Sequence, residues 1–256
     1  SNAYMITIGP MLIIACLVYL VFRRKLLTTA SEPQASHSLV LIINIVFWFS
    51  LAGSIYSLST EILHRPLIYF VLTSLCAAMI ALQILYSRQK NTTYLILFEI
   101  LLVSLSVRAS AFWVFPTLPG SDPWAHVEYV KDFVNLGHIE STRGWIYYLN
   151  YPISHLNVVA TKLITGLDYK AAMFLGAGLP LMLSTLFVFL IGQRLANSKI
   201  GLLAALLLSF ADFHLQWSIQ IIAMSFGIAL FTIILYLFIR DKGKVTTLTT
   251  ALTIFL

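Results

Sequence analysis

The chain has 256 residues, of which 59% are hydrophobic and 10% charged, and its mean hydropathy is +0.90. Soluble domains are roughly 45–50% apolar and about 25% charged, so this composition excludes a soluble globular fold. The net charge of +6 comes from basic residues at the ends of apolar segments rather than in one patch, which argues against nucleic-acid binding. We therefore expect an all-α integral membrane protein whose surroundings are the lipid bilayer.

Seven apolar segments and part of an eighth have the length of transmembrane helices, since about 20 mainly apolar residues cross the roughly 30 Å hydrocarbon core. The predicted spans are residues 5–22, 38–60, 67–86, 94–115, 170–192, 200–217, 219–239 and 245–256. Residues 1–3 are interpreted as a remnant of tag removal. The last span stops at Leu256 without a polar flank, which predicts that a longer protein continues beyond it.

Basic residues mark alternate connections along the chain. Ten of the sixteen Lys and Arg residues lie in the connections 23–25, 88–90, 194–199 and 240–244. Cytoplasmic loops are enriched in Lys and Arg, so these four connections are predicted to be cytoplasmic. The N-terminus and the polar loop 116–169 of this multi-pass cell-membrane protein are then predicted to be extracytoplasmic.

The polar loop begins with a helix signal. Pro123 suits the first turn of a helix and Asp122 suits its N-cap. Residues 123–136 then carry Val127, Val130 and Val134 at helical spacing, which predicts an amphipathic helix on the membrane surface. The alternative for Asp122 is that it caps this helix and does nothing more. For His126, one turn further on, the alternative is a solvated or hydrogen-bonded side chain.

A second, short outer connection is predicted between the spans 200–217 and 219–239. Residues 209–217 read Ser-Phe-Ala-Asp-Phe-His-Leu-Gln-Trp and hold Asp212, His214 and Gln216 within five positions. Holding ionisable groups at membrane depth costs free energy, so such residues are functional candidates. The alternative is the ordinary polarity of an outer turn.

At this point the sequence resembles a known family. Residues 120–126, Gly-Ser-Asp-Pro-Trp-Ala-His, followed by Asn-Leu-Gly at 135–137, are similar to the first outer loop of the GT-C glycosyltransferase superfamily. The similarity is to the Asp-Pro-aromatic segment of oligosaccharyltransferase catalytic subunits and archaeal relatives. Residues 151–156, Tyr-Pro-Ile-Ser-His-Leu, followed by Ile-Thr-Gly at 164–166, resemble the re-entry into the next helix in these enzymes.

The resemblance covers about residues 94–240 and implies a domain organisation. Residues 4–90 would be three accessory transmembrane helices, and residues 91–256 would be a GT-C-like core with one helix, the outer loop and four further helices. In the second loop the chain has Asp212 and His214, where oligosaccharyltransferases carry two acids separated by one residue. The fold class expected is thus an all-α bundle of seven to eight transmembrane helices with a juxtamembrane helix.

The resemblance also implies an activity, the inverting transfer of a sugar from a polyprenyl-phosphate or diphosphate donor to a glycan, lipid or protein acceptor outside the cytoplasm. Asp122 would be the base or a ligand of a divalent metal, Mg²⁺ or Mn²⁺, with Asp212 as a second ligand. The implied catalytic residues are Asp122, His126 and Asp212. The residues implied in substrate binding are Arg108, Arg143, Tyr151, His155, His214 and Gln216.

Arg108 is a candidate for the donor phosphate because guanidinium groups bind phosphate in a bidentate fashion. The alternative is that its long side chain snorkels to the interface. Glu99 lies deeper in the same predicted span, about 13 Å away along the helix axis, so a direct pair between the two is not expected.

Two other functions remain open from the sequence. A transporter or flippase of lipid-linked or small anionic substrates would use broken helices and acids at the bilayer midplane. The candidates for these are residues 176–180, Gly-Ala-Gly-Leu-Pro, and Glu99. A membrane scaffold whose outer loop binds a partner would explain the hydrophobicity but not the acids of the two outer connections.

Overall fold

The computed structural model describes residues 37–61, 63–86, 90–138 and 152–240, and every element in these ranges is a helix. In chain order they are α1 His37–Ser57, α2 Leu67–Tyr86, α3 Lys90–Val114, α4 Asp122–Leu136, α5 Ile153–Thr165, α6 Tyr169–Leu195, α7 Ser198–Phe210, α8 Asp212–Ile219 and α9 Ala223–Arg240. Helix α6 contains one turn of π-helix at Phe174–Gly178.

Five of these helices, α1, α2, α3, α6 and α9, are long and apolar enough to cross a membrane. The bent pair α7 and α8 makes a sixth span if the two are counted together. The prediction of an all-helical chain with several helices that could span a membrane is confirmed for the described residues, and six of the predicted spans correspond to these elements. The predicted spans 5–22 and 245–256 lie outside the described residues.

The span predicted at residues 200–217 is bent into two helices. The chain breaks at Ala211, which has an extended conformation (φ −63°, ψ 122°), and α8 leaves α7 at an angle of 56°. The predicted outer connection 209–217 is therefore mostly helical, since α7 continues to Phe210 and α8 begins at Asp212. The acidic Asp212 favours a new helix start because a carboxylate is stabilised in the first turn by the helix dipole.

Basic residues of different connections meet at one end of the bundle, which we call the basic end. Arg194 donates to the carbonyl of Arg240 at 2.8 Å, and Lys199 contacts the carbonyl of Leu85 at 3.4 Å. The opposite end, called the outer end, carries the connection 115–121, the start of α6, and the connection between α8 and α9. That the basic end faces the cytoplasm stays a prediction.

The largest apolar cluster joins α1, α2, α3, α6 and α7 in the middle of the bundle. It includes the fully buried Phe47, Ile80, Ile100, Phe189 and Leu206. Helices α6 and α7 pack closely because they meet at Gly192 and Gly201. A Cβ atom on Gly201 would lie 2.5 Å from the carbonyl oxygen of Phe189. Small residues at such crossings let two backbones approach in membrane proteins.

We expect Gly201→Ala to lower the free energy of unfolding by roughly 1–3 kcal/mol, because the added methyl group must push α6 and α7 apart. Thermal unfolding in lipid nanodiscs measures this change. The matched control is Gly227→Ala in α9, where an added Cβ meets no atom within 4 Å. Equal stability of the two variants would contradict this account of the crossing.

A second apolar cluster lies at the outer end and corrects the prediction for α4. Val127 and Val130 are buried, and they pack with Val158 of α5 and Met173 of α6. The apolar face predicted to lie on the membrane surface thus contacts protein, because α5 and α6 cover it. Trp124, on another face of α4, remains 43% exposed.

Candidate functional site

A small pocket opens at the outer end of the bundle, between α3, the connection 115–121, α6 and α8. Two of its side chains, Arg108 and Lys170, are cationic, and most of the others are apolar. It is lined by Arg108, Ala111, Phe112, Leu118, Pro119, Lys170, Phe174, Ser218, Ile219 and Ile221. The pocket has space for about one water molecule.

Arg108 is held inside the bundle, with 2% of its surface exposed. Its Nη1 donates to the carbonyl oxygen of Ser104 at 2.9 Å and to the Ser104 hydroxyl at 2.6 Å. Its Nη2 contacts Nδ1 of His214 at 2.7 Å. The alternative of snorkelling is therefore wrong for this residue, because the guanidinium is fixed by polar groups of α3 and α8 rather than by the interface.

His214 joins Arg108 to α6. Its Nε2 lies 2.7 Å from the hydroxyl of Ser184, and that hydroxyl donates to the carbonyl of Leu181. His214 is 5% exposed and Ser184 is 1% exposed. Both ring nitrogens of His214 are therefore engaged within the protein, although the residue was predicted to bind substrate.

Lys170 is the second cation of the pocket. Its Nζ donates to the carbonyl oxygens of Phe112 and Phe115, each at 2.7 Å, and lies 4.2 Å from the centre of the Phe112 ring. These carbonyls belong to the C-terminal end of α3, where a cation is stabilised by the helix dipole. Lys170 thus fixes the start of α6 against the end of α3.

Asp122 is the first residue of α4 and is exposed. The cap position belongs to Ser121, which makes no side-chain capping bond, so the prediction of Asp122 as N-cap is wrong. The turn before it requires Gly120, whose φ is +92° and which lies beside the side chain of Gln220. Asp122 follows Pro119, which lines the pocket, by three positions. The Cα atoms of these two residues are therefore at most about 11 Å apart.

His126 and His155 form a buried pair between α4 and α5. Nδ1 of His126 lies 2.8 Å from Nε2 of His155, and each residue is 3% exposed. The Tyr129 ring lies edge-on to His155, with centroids 5.5 Å apart. Burial and, to a smaller extent, the neighbouring His126 together lower the pKa of His155 to about 4. Burial also lowers the pKa of His126, which Asp122 partly offsets. Of the two alternatives for His126, the hydrogen-bonded side chain is the one observed, and the solvated one is not.

The contact of α4 with α5 should weaken in acid because of this pair. Both imidazoles bind protons less readily in the folded protein, so the free energy of unfolding should fall as the pH drops from about 6.5 to about 4. For His155 alone the loss is about 3 kcal/mol. Thermal unfolding in nanodiscs between pH 7.5 and pH 4.5 measures it.

The variant His155→Phe should show a smaller loss of stability in acid than the unsubstituted protein. His138→Gln, which changes an exposed histidine just beyond α4, is the matched control and should keep the full loss. Equal pH dependence of His155→Phe and the unsubstituted protein would contradict the assignment.

The π-helical turn of α6 packs against α5, and this contact was not predicted from the sequence. Pro180 has no N–H to donate to the carbonyl of Gly176, four residues earlier, and the side chain of Asn157 donates to that carbonyl instead. A Cβ on Gly176 would lie 2.9 Å from Cα of Val158, so the glycine allows the close approach. The sequence signal for this contact was Pro180, four residues after Gly176. The transporter hypothesis had singled out the same segment for its Gly and Pro residues.

The other predicted site residues have different surroundings. Asp212 and Gln216 are exposed on α8, and Glu99 is fully buried in α3 facing Gln83. Arg143 and Tyr151 lie outside the described residues.

The described residues do not supply a metal site of three or more ligands. No group of three His, Cys, Asp or Glu side chains within residues 37–61, 63–86, 90–138 and 152–240 could hold a metal ion. Metal binding by Asp122 and Asp212 stays a prediction.

Comparisons of the chain with protein-family models, with curated proteins and with solved structures found no match.

Proposed function

We propose that this protein transfers a sugar from a polyprenyl-phosphate or diphosphate donor to an acceptor hydroxyl on the extracytoplasmic side of the membrane. The observation that carries the proposal is the pocket at the outer end, where Arg108 and Lys170 lie beside the connection that leads into Asp122. Two cations beside the connection that leads into an exposed carboxylate, at the end of a bundle of apolar helices, suit a lipid-linked phosphate and a nucleophile that must lose a proton.

The GT-C resemblance of residues 120–126 and 151–156 supports the same assignment. This resemblance is why we propose that the group transferred from the phosphate is a sugar rather than another group. His126 and His155, from the two resembling segments, lie 2.8 Å apart, so these segments meet in the fold.

The transfer is a single displacement. The acceptor oxygen forms a bond to the anomeric carbon, and the bond from that carbon to the phosphate oxygen breaks with its electrons remaining on the phosphate. The carboxylate of Asp122 accepts the hydroxyl proton. Arg108 and Lys170 stabilise the charge that develops on the leaving polyprenyl phosphate, and attack from the opposite side inverts the anomeric centre.

Donor binding requires the pocket to open, because a phosphate group is larger than the space present. The aromatic walls Phe112 and Phe174, whose ring centres lie 5.0 Å apart, are the side chains whose movement would enlarge it. The binding of donor should therefore be slower than diffusion, as is usual where a conformational change precedes binding.

The proposal is tested with purified protein in proteoliposomes that contain tritiated decaprenyl phosphate mannose or decaprenyl phosphate glucose. A detergent extract of glycolipids and membrane proteins supplies acceptors. We expect labelled product and free decaprenyl phosphate to appear together. Neither product after incubation with either donor, under conditions where the protein remains folded, would count against this reaction for these sugars.

A transporter is the second candidate, favoured by the 56° break at Ala211 and the π-helical turn of α6. Broken helices of this kind form substrate sites in secondary transporters. The same proteoliposomes separate the two functions, since a flippase moves labelled lipid between leaflets without releasing decaprenyl phosphate. Movement of the lipid without bond cleavage would support the transporter and contradict the enzyme. A scaffold would do neither.

A further inference from the structure

We propose that His214 and Ser184 are positioning residues, which aim the guanidinium of Arg108 at the outer pocket instead of contacting substrate. Their effect on sugar transfer rests on the proposed function, whereas the hydrogen bonds that join these three buried side chains do not.

The direction of each hydrogen bond follows from the chemistry of Arg108. A guanidinium group has donors and no acceptor, so Nδ1 of His214, 2.7 Å away, must accept. The imidazole is then neutral and carries its hydrogen on Nε2, which donates to the hydroxyl of Ser184 at 2.7 Å. The Ser184 hydroxyl can accept this bond because its own hydrogen goes to the carbonyl of Leu181 at 2.5 Å.

This series of hydrogen bonds, called the Arg108 relay, runs from Arg108 through His214 and Ser184 to the carbonyl of Leu181. It joins α3 to α8 and α6, which come from positions far apart in the sequence. Hydrogen bonds that involve a charged group are stronger than those between neutral groups, and leaving a buried charged group unsatisfied is costly. The relay therefore restricts the guanidinium to one orientation.

Arg108 also bridges the break between α7 and α8. Its Nη1 lies 3.5 Å from the carbonyl oxygen of Ser209, just before the break, and its Nη2 contacts His214, just after it. The same contacts that aim the guanidinium thus hold α8 at its angle to α7. Because Ser218 and Ile219 of α8 line the pocket, the relay also sets the position of one pocket wall.

A positioning role makes a sharp kinetic prediction. His214→Phe keeps a ring of similar size but removes both ring nitrogens, and we expect it to reduce sugar transfer about tenfold or more. Ser184→Ala removes a hydroxyl that contacts His214 rather than Arg108 itself. It should therefore reduce transfer by a smaller factor. The Michaelis constant for donor should rise in both variants, because Arg108 is the group they displace.

A double-mutant cycle tests whether His214 acts through Arg108. In an Arg108→Gln background, His214→Phe should change transfer by less than about twofold, since the group it positions is already gone. A second large loss in that background would overturn the proposal, because it would show that His214 acts independently, on substrate or on the fold. The same cycle with Ser184→Ala is available if His214→Phe does not fold.

Ser54→Ala is the matched control for Ser184→Ala. Ser54 is also 1% exposed, and its hydroxyl donates to the carbonyl three residues earlier in its own helix, as that of Ser184 does. We expect Ser54→Ala to leave transfer unchanged. An equal loss of transfer in the two variants would overturn the relay as the explanation.

Failure of the proposed function can be told apart from failure of the relay. Unchanged transfer in Arg108→Gln would refute the role of Arg108 in donor binding and leave the relay to be judged by thermal unfolding in nanodiscs. There the stability losses of Arg108→Gln and His214→Phe should be strongly non-additive if the relay exists. Additive losses would overturn it.

Discussion

Arg108→Gln is expected to reduce sugar transfer by about 10²-fold or more, because it removes the cation that would stabilise the leaving phosphate. Glutamine retains hydrogen-bonding groups near Ser104 and His214 but has no charge. Transfer is measured as release of decaprenyl phosphate in proteoliposomes, with the amount of folded protein determined by size-exclusion chromatography. Arg108→Lys keeps the charge without the planar pair of donors, so its loss should be smaller.

Lys131→Gln is the control for a nonspecific effect of charge. Lys131 of α4 is half-buried, lies 5.7 Å from the centre of the Tyr169 ring and pairs with Glu128 at 2.7 Å. It does not line the pocket, so its removal should leave transfer unchanged. If Arg108→Gln and Lys131→Gln behaved alike, the pocket would not be the donor site.

Asp122→Asn is expected to reduce transfer by about 10²–10⁴-fold, the usual contribution of a general base. The amide has nearly the size of the carboxylate and remains in the first turn of α4, where Ser121 occupies the cap position. The change therefore removes the proton acceptor with little change in packing, since Asp122 is exposed. Initial rates at saturating donor measure the effect.

Glu128→Gln removes another exposed carboxylate of the same helix, six residues further on, and should preserve activity. Transfer at the normal rate in Asp122→Asn would show that Asp122 is only the first residue of a helix. The donor site at Arg108 and Lys170 would then need a different base.

The transmembrane helices and the start of α4 could be predicted because their signals are local. Runs of apolar residues of the right length gave α2 with its observed bounds, and Pro123 indicated a helix start within one residue. The break at Ala211 was missed, because an apolar segment of the length of 200–217 satisfies the same length criterion whether it is straight or bent.

The surroundings of the site residues could not be predicted because they depend on contacts between distant segments. Arg108 and His214 are 106 positions apart, and His126 and His155 are 29 apart. Hydropathy marks each of them as a polar residue near a membrane boundary. It does not indicate whether a partner lies within hydrogen-bonding distance. Burial of Val127 and Val130 likewise depended on α5 and α6, since an amphipathic face suits a membrane surface or a protein surface equally well.

The most direct test of the proposed donor site is photo-crosslinking with a decaprenyl phosphate that carries a benzophenone near its phosphate. Mass spectrometry of the labelled protein should find the label in peptides that contain residues 108–119 or 170–174, and Arg108→Gln should reduce it. Labelling confined to other peptides, or equal labelling of the unsubstituted protein and Arg108→Gln, would contradict a donor site at the outer pocket.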